Sequence, residues 1–146
     1  MSKNSTPSFI TEIPLKTGSW EESVLKKRFF AAKQQYNALL GECFKRLDRM
    51  RSDPRFKQAC ELYKEKGKKQ EAKSIFKQLN EEYSYREYDL YSYCEQWNIK
   101  GNALSIGARI SQKLAKRVFQ AIEEYRQLKR GRPRFCLLYT SDAADE

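Results

Sequence analysis

A mainly α chain of about five helices, with one short β-strand near its N-terminus, is what this sequence predicts, and two observations carry the expectation. Apolar residues recur at alternating spacings of three and four through most of the length, the period that sets one helix face against a core. Only 6 Gly and 4 Pro occur in 146 residues, too few turn formers for a many-stranded sandwich or barrel. At 40% hydrophobic and 33% charged residues, the chain is polar yet able to bury a core as one domain.

The first element is Phe9-Ile10-Thr11-Glu12-Ile13-Pro14-Leu15. Its period of two puts Phe9, Thr11, Ile13 and Leu15 on one side, and Pro14 confines such a strand to an edge or an end. A strand needs a partner. No convincing one precedes the last residues, so the partner follows Gly131 or is missing.

Ser19-Trp20-Glu21-Glu22 reads as a capping box, with the Ser19 hydroxyl accepting from the Glu22 N–H while Glu22 reaches back. The helix it opens carries Leu25, Phe29, Ala32, Tyr36, Leu39, Cys43, Leu47 and Met50 along one line and should run on the order of 45 Å. Phe30 and Phe44 lie off that line and need a second neighbour. Its lysines and arginines spread round the remaining circumference rather than forming one track.

Ser52-Asp53-Pro54 ends this helix and starts another, with Asp53 as N-cap and Pro54 at the first helical position. Phe56, Ala59, Cys60 and Tyr63 face one way up to Gly67. Ala72, Ile75, Phe76, Leu79 and Tyr83 then mark a third helix, and the two form a hairpin. Charges of both signs between Lys64 and Lys77 fit a solvated face.

Ser84-Tyr85-Arg86-Glu87 reads as a second capping box, opening a helix through about Trp97 that is aromatic over most of its surface. Core packing with tyrosine hydroxyls reaching water is the favoured reading of those rings. Stacking of a base or ribose by Tyr85 or Tyr93, beside Arg86, is the alternative. Asn98 to Gly107 is a loop.

The last helix has the clearest signal. Ile110, Leu114, Val118, Ala121, Ile122, Tyr125 and Leu128 form its core stripe, and Arg109, Gln112, Lys113, Lys116, Arg117 and Gln120 lie opposite, followed by Glu123, Glu124 and Gln127. It runs into Lys129-Arg130-Gly131-Arg132-Pro133-Arg134-Phe135, where Gly131 suits a left-handed C-cap and Pro133 cannot continue the ladder. The expected organisation is therefore a strand region over 1–18, a helical region over 19–129, a basic segment over 130–135, and a tail over 136–146.

That tail, Cys136-Leu137-Leu138-Tyr139-Thr140-Ser141-Asp142-Ala143-Ala144-Asp145-Glu146, drops the basic character abruptly. It resembles, residue for residue, the translation of the mosaic-end adapter of transposase-based sequencing libraries. It is expected to be read-through, with the natural gene continuing differently after Phe135; amplification of the source DNA across the junction tests this.

The formal net charge of +10 favours partners with phosphate backbones, through raised local potential and counterion release. The sequence contains 4 Cys and no His. Cys43, Cys60, Cys94 and Cys136 show no Cys-x-x-Cys spacing, so neither a zinc site nor an imidazole mechanism is legible. There is no phosphate-binding glycine loop and no Gly-x-Ser-x-Gly elbow, and the carboxylates sit among bases on helix faces. The expectation is a binding protein without catalytic residues, cofactor or metal. No signal-peptide core is seen near Met1, and no apolar run is long enough to span a bilayer, so a cytoplasmic location is expected.

Several segments, Phe9-Ile-Thr-Glu-Ile-Pro-Leu15, Leu25 to Phe30, Tyr36-Asn-Ala-Leu-Leu-Gly-Glu42, Tyr88-Asp-Leu-Tyr91, Gln112-Lys-Leu-Ala-Lys-Arg-Val-Phe-Gln-Ala121 and Lys129 to Phe135, together resemble the N-terminal part of TnpB (OrfB-type) transposon proteins. These are compact RNA-guided DNA endonucleases related to type V CRISPR effectors. The resemblance implies that the strand belongs to a β wedge domain, that the helices form a recognition lobe, and that the chain returns to the wedge near Arg132. It also implies guide RNA and double-stranded DNA as partners, with the metal-dependent RuvC-like nuclease region lying beyond this chain. From charge and place, the nucleic-acid-binding candidates are Tyr36, Asn37, Arg109, Lys113, Lys116, Arg117, Lys129, Arg130, Arg132 and Arg134.

Two other functions fit the same residues. The Leu25 to Met50 stripe suits a helical interaction module pairing with a partner helix. Arg130-Gly131-Arg132-Pro133-Arg134 matches the core of an AT-hook, an extended basic strip for the A·T minor groove.

Overall fold

The computed structural model describes residues 6–136. It contains five α-helices, α1 (Ser19–Arg51), α2 (Pro54–Lys64), α3 (Lys69–Glu82), α4 (Glu87–Cys94) and α5 (Ala108–Arg126), and a 3-10 turn over Glu95–Asn98. The mainly α expectation holds. Residues 137–146, nearly all of the expected read-through tail, lie outside the described residues.

No strand forms among the described residues. The stretch from Phe9 to Leu15 is irregular and exposed, with Phe9 90% and Ile10 94% accessible. The alternation is real, but a strand exists only as one side of a ladder, and among the described residues no segment forms a ladder with this one. The expected strand is therefore corrected to an unpaired stretch.

At the start of α1 the cap sits one residue earlier than the capping box implies. Gly18 is the N-cap, and it is the Glu21 carboxylate that accepts from the Gly18 N–H at 2.8 Å; Glu22 instead accepts from the Thr17 hydroxyl at 3.3 Å. At 33 residues the helix is about 50 Å long. Its stripe is buried only from its middle onward: Leu39, Cys43, Leu47 and Met50 are fully enclosed, whereas Leu25 and Phe29 are exposed. Ala31 is the first buried residue of the helix, so three turns project past the core.

That core is a three-helix arrangement of α1, α4 and α5. α1 and α5 run parallel, since Gln35 meets Ser111 near the start of α5 and Phe44 meets Tyr125 near its end. The parallel path leaves α2, α3 and α4 to carry the chain back. α2 and α3 pack chiefly on each other, through an edge-to-face contact of Phe56 and Phe76 at 5.5 Å. Asp53 caps α2 as expected, its carboxylate accepting from the Arg55 N–H at 2.9 Å.

Two helix ends depart from the expected caps. α3 closes in a Schellman motif, with the Tyr85 N–H donating to the Asn80 carbonyl at 2.9 Å while Ser84 takes the left-handed position at φ 51°. Ser84 thus ends one helix rather than capping the next, and Arg86 is the N-cap of α4. α5 closes the same way. The Lys129 N–H donates to the Glu124 carbonyl at 2.8 Å, and Leu128 occupies the left-handed position at φ 61°. Gly131 lies beyond this turn without a positive φ, so the expected glycine C-cap is corrected to Leu128. Leu128, expected in the core stripe, is 90% exposed for the same reason.

The loop between the 3-10 turn and α5 is held by a polar cluster inside the fold. The Ser111 hydroxyl donates to Gln35 Oε1 at 2.7 Å, Gln35 Nε2 donates to the Leu104 carbonyl, and Asn98 Nδ2 donates to Ser111 Oγ at 3.1 Å. Gln35 and Ser111 are both fully buried. Each buried polar atom needs such a partner to offset its lost hydration, and here the partners tie α1, α5 and the loop in register.

Candidate nucleic-acid interface

The outer face of α5 is a basic surface. At about 100° per residue, Arg109, Lys113, Lys116 and Arg117 fall opposite the buried Val118 and Ile122, and all four are exposed. None pairs with a carboxylate among the described residues, whereas Arg46, Arg55, Lys68, Arg86 and Arg126 each have an acidic partner on or near their own helix. The first turn of α5 carries no acid, and its N-cap, Gly107, has no side chain to satisfy the free amides. The positive helix end and the unpaired cations therefore add.

The basic segment after α5 does not project into solvent as a free strip. Residues 131–136 form no helix or strand and lie against α1, meeting Asn37, Gly41 and Phe44. Asn37 accepts from the Cys136 N–H at 2.7 Å and donates to the Cys136 carbonyl at 3.2 Å. The Arg132 guanidinium lies 4.2 Å from the centre of the Phe44 ring, a cation–π contact that gives off-stripe Phe44 its second neighbour. Arg130 comes within 3.8 Å of Glu124. A minor-groove strip needs its arginine arms outward, and two of the three here are turned onto the protein.

The ten candidate residues thus divide. Arg109, Lys113, Lys116 and Arg117 form one surface, and Arg134 and Tyr36 join it by lining a groove with Arg117. Asn37 serves the backbone of the crossing segment. Arg132 stacks on Phe44, Arg130 faces Glu124, and Lys129 is exposed at the far end of α5, roughly 18 Å along the helix from Arg117.

Of the tyrosines considered for stacking, Tyr85 is enclosed and Tyr93 is half-buried with contacts of its own. Tyr85 is buried, and its hydroxyl donates to the Glu123 carboxylate at 2.8 Å. Burial, together with that carboxylate, pushes its phenol well above the ordinary range. The Tyr93 ring is occupied by the Arg46 guanidinium at 5.7 Å and by Trp97 at 6.5 Å. The core reading of this aromatic helix is the one the packing supports.

Phe29 and Lys33 also line the groove, and neither is among the ten binding candidates. Phe29 stands on the apolar stripe and is 57% exposed, because α5 begins alongside Gln35 and leaves the earlier turns of α1 uncovered. Helical periodicity shows which residues share a face, but not where a neighbouring helix stops covering it.

Among the described residues no group of three or more His, Cys, Asp or Glu side chains is gathered as a metal site, and no helix is long and apolar enough to cross a membrane. No family model, curated protein or solved structure matches the chain.

Proposed function

We propose that this chain binds nucleic acid, as the N-terminal, helical portion of a TnpB/OrfB-type RNA-guided endonuclease whose cutting machinery lies elsewhere. The carrying observation is the row Arg109, Lys113, Lys116 and Arg117, four exposed cations facing away from the core without carboxylate partners among the described residues. Such a row raises the potential along one line and suits a phosphate backbone. Guide RNA and duplex DNA are the partners implied by the resemblance, with sequence read by base pairing. A prokaryotic cytoplasm is the location that goes with it.

The test is a salt titration of binding to RNA and DNA oligomers. The unmodified chain should bind at low salt and lose affinity steeply as salt rises. In a Lys113→Ala, Lys116→Ala, Arg117→Ala triple variant the log–log slope should fall by about two to three. Absence of binding in dilute buffer, or an unchanged slope in the variant, overturns the proposal.

A partner-helix function draws less support, because Leu39, Cys43, Leu47 and Met50 are already covered by the chain's own helices. Only the first turns of the stripe remain for a partner. Salt-insensitive self-association without nucleic-acid binding would favour it.

A further inference from the structure

Between α1, from Phe29 to Tyr36, and the first turns of α5 runs a groove of about 390 Å³, lined by Phe29, Lys33, Tyr36, Leu114, Arg117 and Arg134 among others. Phe29, Lys33 and Tyr36 follow one another at spacings of four and three, so they share one face of α1. α5 supplies Leu114 and Arg117, and the crossing segment supplies Arg134. The lining combines aromatic and aliphatic surface with three cationic side chains and contains no carboxylate. Neither Arg117 nor Arg134 has an acidic partner among the described residues.

This combination is more selective than charge alone. A row of cations on a smooth face holds phosphates of any nucleic acid. Aromatic rings that share a groove with guanidinium groups offer in addition a surface for the flat face of a base, with its flanking phosphates on the arginines. A duplex keeps its base faces stacked inside and presents only their edges. The floor of this groove therefore has a use only when the bases are unstacked.

We infer that the α1–α5 groove takes an unstacked base of single-stranded nucleic acid, with Phe29 and Tyr36 furnishing the ring surface and Arg117 and Arg134 holding the adjoining phosphates. The inference rests on the nucleic-acid reading above and narrows it to a strand type and a place. It also gives a role to the exposed Phe29, which the core does not use.

The experiment compares an oligouridylate with an abasic strand of the same length, at matched salt, by fluorescence anisotropy on the full chain. The base-bearing strand should bind on the order of tenfold more tightly. Phe29→Ala should lose that advantage while keeping its affinity for the abasic strand and its salt slope; Phe29 is exposed, so the variant folds. Arg117→Gln with Arg134→Gln should weaken both strands. Equal affinity for the two strands, with a normal salt slope, overturns the groove and leaves phosphate binding standing. A Phe29→Ala protein that keeps the base preference overturns it too. Failure to bind either strand removes the nucleic-acid reading and this inference together.

Discussion

The carboxamide of Asn37 grips both backbone groups of Cys136, one bond at 2.7 Å and one at 3.2 Å. A helix side chain thereby does for the crossing segment what a neighbouring strand does in a ladder. Only backbone atoms of residue 136 are engaged, so the clasp holds whatever side chain stands there. Asn37→Ala removes two part-buried hydrogen bonds, each worth about 0.5–1.5 kcal/mol, from a segment otherwise tied down by Arg132 on Phe44 and Arg130 near Glu124. The expected outcome is local release: trypsin cuts after Arg134 several-fold faster, while the melting temperature falls by only a few degrees. Unchanged cleavage would show that the clasp does not hold the segment.

Leu128 offers a simple gain in stability. A leucine in the left-handed region costs about 1–2 kcal/mol, and this one buries nothing that would compensate. Leu128→Gly should raise stability by about 0.5–1 kcal/mol after allowing for the freer unfolded chain, or about 2–4 °C in the melting temperature. Leu128→Ala, which keeps a Cβ, should give almost none of this. Equal effects from glycine and alanine would mean the backbone strain is not the cause.

Asp53, Arg55, Glu82 and Tyr83 make the hairpin base sensitive to acid. The Arg55 guanidinium donates to both carboxylates, and the Tyr83 hydroxyl donates to Asp53 at 2.7 Å. The Arg55 contact is the leading cause holding both carboxyl groups below their usual range, with Tyr83 adding to it at Asp53. A depressed carboxyl contributes stability above its unfolded value, near 4, and loses it as pH falls toward the folded one. Asp53→Asn keeps an oxygen for the α2 cap but loses the charge. It should be less stable than the unmodified chain at pH 7, with the gap closing below about pH 4. The Arg55 and Glu82 side chains are 39% and 44% exposed, so molar salt should also shrink the gap. A gap independent of pH and salt would assign the loss to the cap instead.

Burial of polar atoms at the α1–α5 contact makes Ser111 a sensitive position. Ser111→Ala withdraws the hydroxyl from Gln35 and from Asn98 and leaves the fully buried Gln35 amide oxygen without its donor. An unsatisfied buried group costs about 1–3 kcal/mol. Denaturant unfolding should show a loss of that size, against less than about 0.5 kcal/mol for Ser92→Ala on the exposed side of α4. Similar small losses at both serines would mean water replaces the hydroxyl.

What the sequence made legible follows from how locally each feature is decided. The α2 cap needs only Asp53 and Pro54, and the core halves of α1 and α5 need only their own periodicity; both were readable. The caps at Ser84 and Leu128 were not, because neither residue type favours a positive φ and the tertiary packing imposes it. The unpaired stretch from Phe9 to Leu15 reads as a strand because alternation is local, whereas a ladder partner is not. The basic row on α5 was legible as a helix face. The stacking of Arg132 on Phe44, the Asn37 clasp and the groove at Phe29 depend on residues tens of positions apart, and no short-range pattern marks them.

The four cysteines allow the packing itself to be timed. Cys43 and Cys94 are buried, and burial drives their thiols up to about 12 and about 11, Cys43 being raised further by the Glu123 carboxylate. Cys94 also lies 3.6 Å from the Ser111 carbonyl. The thiolate is the reactive form, so at pH 8 these two are shielded both by access and by protonation. Cys60 and Cys136 are only half-buried. Ellman titration of the native chain should therefore give two thiols that react within minutes and two that react only as the protein unfolds. The slow pair should follow the unfolding rate as denaturant is added. Because Cys43 sits on α1 and Cys94 on α4, their shared protection reports that these helices are closed over each other. Four fast thiols would mean the three-helix core opens readily in solution.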